Sequence, residues 1–294
     1  MLLLPLLSCN PEVSITEKEQ TGDTAQTEEV VPAPVDYSQQ GQYAVTTNDG
    51  SIVINDICEL DFVTKTAYGV QSPPRIILSH GWARSSAEME RWGHEIASWG
   101  FEVIMPDLCY NWMQVDHQAN AQSLIALNDS LGSNKVIYAG HSFGGLASLL
   151  AAVDDIDAVG VIGLDPVDTD MGFGFLAEQV SIPVFAIYGE SSPCNSDNNA
   201  MDLFAASNNY VGLRVNEADH CDFENPTNEI CTIACGGTNN RFDDDEIRSV
   251  IQGLIIAAGH GVLSEDSYAL LNWWDRDGYY YNMHYSNGII SPIQ

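Results

Sequence analysis

The sequence predicts an α/β fold, with a mostly parallel central sheet and helices on both faces. Three observations carry this. Short apolar runs alternate with helix-like stretches along the chain. The runs are continuous rather than alternating, as expected of strands covered on both faces. One of them, K-V-I-Y-A, leads directly into a serine boxed by glycines, G-H-S-F-G-G, residues 140–145.

Five runs read as central strands: 75–79, 102–106, 135–139, 159–164 and 183–188. A sixth, 210–215, precedes the histidine His220. Between them, helices are expected over 87–99, 115–131, 144–153 and 198–206, with a last one over 244–258. Upstream, 43–47 and 51–64 read as antiparallel edge strands. The C-terminal tail, N-W-W-D-R-D-G-Y-Y-Y-N-M-H-Y, is aromatic enough to pack against the domain. A surface for a polymer or carbohydrate is the sharper reading of it.

The chain has 294 residues and a formal net charge of −31. Such acidity repels polyanions and argues against a nucleic-acid partner. The start, M-L-L-L-P-L-L-S-C-N, resembles a bacterial lipoprotein signal over 1–9, with Cys9 the lipidated residue that would anchor the protein to a membrane. Residues 10–40 are rich in Thr, Glu, Gln and Pro and read as a disordered acidic linker. A single domain is then expected over 41–294. No later run reaches the roughly 18 apolar residues that span a bilayer. Six further cysteines, Cys58, Cys109, Cys194, Cys221, Cys231 and Cys235, agree with an extracytoplasmic protein, lipid-anchored or secreted. Four lie close together, so a disulfide is expected there, with the pairing left open. Cys221, Cys231 and Cys235 lack common zinc spacing, and neither a metal nor a cofactor is expected.

The G-x-S-x-G pattern between a strand and a helix is a nucleophile elbow. Glycines at 140 and 144 leave room for the sharp turn that lifts Ser142 above the sheet. A nucleophilic serine needs a base, and the base needs an orienting acid. Seven histidines compete. His80 and His141 flank turns near the serine and suit shaping roles. His220, in N-E-A-D-H-C-D-F-E just after the last central strand, is the candidate base. Asp165 ends the strand V-G-V-I-G-L-D-P-V, and Glu190 ends the next, F-A-I-Y-G-E. Asp165 and Glu190 are the two candidate acids, each at the carboxyl end of its strand, and the usual place of the acid, after the later strand, favours Glu190. Two backbone N–H groups must hold a developing oxyanion: Phe143, directly after the serine, and Trp82, in the loop L-S-H-G-W-A-R-S-S.

Over roughly 41–260 the chain resembles the α/β-hydrolase superfamily. G-H-S-F-G-G, G-L-D-P-V-D and A-D-H-C-D-F-E with the following Cys231 and Cys235 resemble chlorophyllases. G-L-D-P is similar to the acid-bearing stretch of pancreatic-type lipases. H-G-W-A-R-S-S resembles the oxyanion loop of cutinase-like polyester hydrolases, with His80 in place of that family's proline. Those polyester hydrolases take their acid after the later strand, where this chain carries Glu190. The resemblance to chlorophyllases implies that Asp165 is the acid, and the resemblance as a whole implies ester hydrolysis.

The span between Asp165 and Ile182 is too short for a bulky lid. Trp82, Phe143, Trp112, Met171, Phe173 and Phe175 are therefore expected to wall an open apolar cleft. The expected partner is a hydrophobic ester (lipid, aromatic or polymeric), taken by a monomer. Amide or peptide hydrolysis and acyl transfer share the same motifs. A non-catalytic binding member of the fold is the remaining alternative.

Overall fold

A computed structural model describes residues 34–293, apart from 55–57, 133, 170–172 and 238–240. Nine strands form one sheet among the described residues. They are β1 (Val45–Ile54), β2 (Cys58–Ala67), β3 (Arg75–Ser79), β4 (Glu102–Pro106), β5 (Val136–His141), β6 (Ala158–Leu164), β7 (Pro183–Tyr188), β8 (Asn209–Val215) and β9 (Ile290–Pro292). Their order is β1-β2-β4-β3-β5-β6-β7-β8-β9. From β4 through β8 every pairing is parallel. β1 and β2 add antiparallel strands at one edge, and β9 closes the other edge against β8. The expected α/β architecture is thus present.

The helices are α1 (Glu90–Ser98), α2 (His117–Ser130), α3 (Phe143–Asp154), α4 (Gly174–Ala177), α5 (Met201–Ala205), α6 (Glu229–Cys235), α7 (Asp244–Leu263), α8 (Ser267–Trp273) and α9 (Tyr279–Asn287). They divide between two apolar layers. One holds Ile76, Leu78, Val103, Ile162 and Ile187 of the sheet against α1 and α7, with Trp92 and Trp273 wholly buried. The other holds Ile77, Ile104, Tyr138, Val161 and Ala186 against α2 and α3. Successive strand residues point to opposite faces, and here both faces are covered. This is why the central runs are continuously apolar between their ends, where Arg75, Ser79 and Glu102 stand.

The edge differs from its expectation. β1 runs straight through Asn48, Asp49 and Gly50, which the sequence suggested as the break between two strands. Gly50 lies opposite Phe62, and a Cβ there would sit 2.4 Å from the phenyl ring, so the glycine serves ring packing rather than a turn. The 198–206 helix shortens to α5, because Ser196, Asp197 and Asn198 take positive φ before it. α7 extends beyond its expected end to Leu263.

The boundary of the domain also moves. The signal segment with Cys9, and the linker through residue 33, lie outside the described residues. Residues 34–40, expected in the linker, are packed on the domain. The Tyr37 side chain is 4% exposed, stacks on His260 at 5.1 Å and meets Trp99 edge-on at 4.8 Å. Four side chains reach the backbone here: Trp273 Nε1 donates to Val35 O, Trp99 Nε1 to Gln39 O, Tyr280 Oη to Pro34 O, and Gln252 Nε2 to Tyr37 O and Gln39 O. One buried aromatic in a polar stretch was enough to tie it down. Removing it should cost about 3 kcal/mol. A chain beginning at Gly41, or Tyr37→Ala, is expected to unfold at a clearly lower urea concentration than a chain beginning at Pro34.

The aromatic tail packs as expected. Trp273, Trp274, Tyr280 and Tyr281 are buried, and Trp274 Nε1 donates to Leu254 O.

Candidate active site

β5 ends at His141, α3 begins at Phe143, and Ser142 forms the turn between them with φ 54° and ψ −121°. A positive φ on a residue with a side chain costs on the order of 1–3 kcal/mol and persists only where its surroundings enforce it. Here they do. Ser142 N–H donates to Leu164 O at 2.9 Å, and Ser142 O accepts from Gly145 N–H and Val167 N–H. A Cβ at residue 140 would lie 2.3 Å from Gly144 O, and one at 144 would lie 2.4 Å from His80 O. Both glycines are therefore set by close backbone approach.

At the end of β6, Asp165 is wholly buried and also takes a positive φ, 43°. Its Oδ1 accepts from Gly189 N–H at 2.9 Å, and Asn195 Nδ2 donates to its Oδ2 at 3.1 Å. His220 Nδ1 lies 2.6 Å from the same Oδ2. A carboxylate oxygen accepts, so the ring proton sits on Nδ1 and leaves Nε2 as the free lone pair. Glu190 is elsewhere: its Oε1 accepts from Glu217 N–H at 3.0 Å. Of the two candidate acids, the structure brings Asp165 to the histidine.

His220 opens a short 3-10 turn, His220–Phe223, directly after β8. Its N-cap is Asp219, whose Oδ1 accepts from Cys221 N–H, while Asp222 Oδ2 accepts from Asp219 N–H. This reciprocal cap fixes the turn that aims the ring. Burial, and then the neighbouring Asp219 charge, push the Asp222 carboxyl up to about 7. The His141 ring packs 4.4 Å from His220, and burial first, then the proximity of His220, holds it well below the usual histidine range. Ser142 and His220 line the same cleft. No hydrogen bond joins their side chains; in unliganded sites such bonds often form only when substrate is bound.

The loop after β3 faces this pair. His80 accepts from Leu108 N–H at Nε2, 2.9 Å, so its Nδ1 carries the proton and donates to Gly81 O at 2.7 Å. That neutral, wholly buried ring orients the peptide before Trp82. As the first residue of α3, Phe143 has an N–H without an intrahelical acceptor. Gly81, Trp82, Ser142 and Phe143 line one side of a cleft of about 380 Å³.

The rest of the wall is not the one expected. Trp82 is on the lining, half exposed and stacked on Trp112 at 5.3 Å. The Phe143 ring is buried and packs on His117 at 4.3 Å while touching the cleft. Phe173 is half-buried beside His117, Phe175 and Trp112 are largely exposed, and none of the three lines the cleft. Met171 lies outside the described residues. In their place stand Val167, Thr169, Ala234 and three cysteines, Cys194, Cys231 and Cys235. All six cysteines of the described residues pair, as Cys58–Cys109, Cys194–Cys235 and Cys221–Cys231. The last two bonds bring α6 against the cleft. The Sγ atoms of Cys221, Cys231 and Cys235 cluster within 4.8 Å, and disulfides hold all three.

Two lining residues escaped the sequence reading. Arg84 and Glu224 form an ion pair at the cleft, with Nε to Oε1 at 2.5 Å. One signal existed, since both residues lie within the two segments already singled out, L-S-H-G-W-A-R-S-S and N-E-A-D-H-C-D-F-E.

No protein-family model matches the chain, and no curated protein matches it. Among the described residues, no helix is long and apolar enough to cross a membrane. The three disulfides are compatible with an extracytoplasmic protein.

Proposed function

We propose that this chain is a serine hydrolase of the α/β-hydrolase superfamily, cleaving hydrophobic carboxylic esters outside the cytoplasm. The observation that carries the reading is the His220–Asp165 contact of 2.6 Å, with His220 lining the cleft that also holds a serine at a strained strand-to-helix turn. Strand order and sheet directions agree with that superfamily, as does the chain order serine, acid, histidine.

In this reaction Ser142 Oγ attacks the ester carbonyl and passes its proton to His220 Nε2. Asp165 holds the ring in the required tautomer and stabilises the imidazolium that forms. The oxyanion is held by Phe143 N–H and Trp82 N–H, which strengthen as charge develops. His220 returns the proton to the departing alcohol. Water, deprotonated by the same ring, then releases the acid from Ser142.

The cleft favours a substrate with an apolar acyl or aromatic part, because Trp82, Phe143, Val167 and Ala234 supply its surface. A net charge of −31 disfavours anionic esters. The lipid anchor at Cys9 belongs to the same proposal, as an attachment at an envelope surface. Amide hydrolysis or acyl transfer to an alcohol would use the same residues.

Hydrolysis of p-nitrophenyl esters from acetate to palmitate tests the reading, with the chain started at Pro34. Alongside it, a fluorophosphonate should add covalently to the peptide containing Ser142, as read by mass spectrometry. Turnover with labelling at Ser142 is the expected result. Labelling without turnover on any ester would move the assignment to amides or acyl transfer. Neither would remove the serine-hydrolase reading.

A further inference from the structure

We propose that the Arg84–Glu224 ion pair is a positioning device that sets the distance between the oxyanion loop and the His220 turn. The inference rests on the serine-hydrolase reading above. Arg84 lies two residues after Trp82, and Glu224 ends the turn that begins at His220. The two halves of the site come from strands far apart in the sequence, β3 and β8, with β5, β6 and β7 between them in the sheet. No ladder hydrogen bond therefore connects them directly. The ion pair does so at 2.5 Å, with the Glu224 side chain 2% exposed.

It is the inner end of a longer seam. Asn225 N–H donates to Glu88 O, and Arg91 N–H donates to Asn225 O, both at 2.8 Å. Asn228 Nδ2 reaches Glu88 Oε1 at 3.1 Å, and Trp92 Nε1 reaches Phe223 O at 3.0 Å. Those bonds join the outer parts of the two segments, whereas Arg84 and Glu224 line the cleft itself, with His141 Nδ1 3.9 Å from the same Glu224 Oε1. The Arg84 loop has a second tether, since Asn111 Nδ2 donates to Arg84 O at 2.9 Å and Ala83 N–H donates to Asn111 O at 2.8 Å. Glu224 is held on its other side by Thr227 Oγ1 at 3.3 Å.

A buried ion pair is weak support for stability as such, because the cost of drying two charges offsets most of their attraction. Its surer consequence is a fixed geometry. The guanidinium is planar and directional, so it sets an angle as well as a length. A transition state held between Trp82 N–H and His220 Nε2 requires both. A shift of about 1 Å in one of them costs on the order of 100-fold in rate. Ground-state binding of an apolar acyl chain is much less sensitive.

The test measures kcat and KM for p-nitrophenyl butyrate, with kcat normalised to fluorophosphonate-reactive sites. Glu224→Gln, Arg84→Met, the double variant and Arg84→Lys are compared, each with its melting temperature. Glu224→Gln and Arg84→Met should lower kcat per reactive site by about 10- to 100-fold, with KM within about 3-fold. The double variant should be no worse than the worse single, since both remove one strut. Arg84→Lys should lie between, because it keeps the charge and loses the fork. Folded single variants with wild-type kcat would overturn the proposal. So would a rise in KM at constant kcat, which would make Arg84 a substrate contact. If the neutral variants do not fold, Arg84→Lys decides: a lowered kcat at constant KM supports the strut, and a wild-type kcat removes it. A wild-type protein that neither turns over nor takes the label would fail the parent reading, and this one with it.

Discussion

Asp165→Asn is expected to lower kcat for ester hydrolysis by about 10⁴-fold while the protein stays folded. Every group around this carboxylate is a donor. Gly189 N–H points at Oδ1, His220 Nδ1 at Oδ2, and Asn195 Nδ2 reaches both oxygens. An amide keeps only one oxygen. If its NH₂ faces Gly189, two donors oppose each other in a dry site. If it faces His220, the ring must take the other tautomer, with its proton on Nε2. That ring cannot accept a proton from Ser142. Glu190→Gln is the matched control. Glu190 accepts from Glu217 N–H, an interaction that glutamine keeps, so kcat should stay within about 2-fold. Steady-state kinetics of the two variants at one pH, with Ser142→Ala as the floor, separate the acids. The opposite pattern would transfer the role to Glu190.

The parts of the site legible in the sequence are those whose signals are local. A glycine-boxed serine after an apolar run specifies a strand, a turn and a helix within eleven residues, 135–145. β3, β4 and β7 begin and end where their runs do, because strands dry on both faces are continuously apolar between their ends. His220 was readable from its place after the last central run. What stayed hidden depends on contacts between distant residues. Cys58 and Cys109 are 51 positions apart, and Cys194 and Cys235 are 41 apart, so nothing local pairs them. Part of the cleft wall was assigned to Met171, Phe173 and Phe175, just after Asp165, whereas disulfides bring Ala234 and α6 there from further along the chain. Tyr37 sits in a stretch whose composition reads as linker, yet its ring fits between Trp99 and His260. Asp49-Gly50 reads as a turn, and only the presence of Phe62 across the ladder explains a glycine in the middle of β1.

Gly144→Ala joins fold and site in one position. Its Cβ would lie 2.4 Å from His80 O and 2.7 Å from Ser79 O, both backbone atoms at the end of β3. A flexible side chain could swing away from an added methyl, but β3 cannot, since it is paired on both sides by β4 and β5. Either α3 lifts off the sheet or the loop after β3 moves outward. The first loses contacts of a helix buried along almost its whole length, and the expected cost is about 3 kcal/mol or more. The second displaces Gly81 and Trp82 from Ser142, and should lower kcat by about 100-fold even where the protein folds. Gly145→Ala is milder, because its nearest neighbours, Pro166 Cβ at 2.9 Å and Gly140 O at 3.0 Å, stand further off than those of residue 144. Gly174→Ala is the control: its Cβ meets nothing within 4 Å, and α4 should gain a few tenths of a kcal/mol. Urea midpoints and kcat for the three variants form one ordered series. If Gly144→Ala matches Gly174→Ala in both, then α3 and β3 are not in the contact that sets the elbow. The oxyanion loop would then owe its position to something other than the glycine beside the serine.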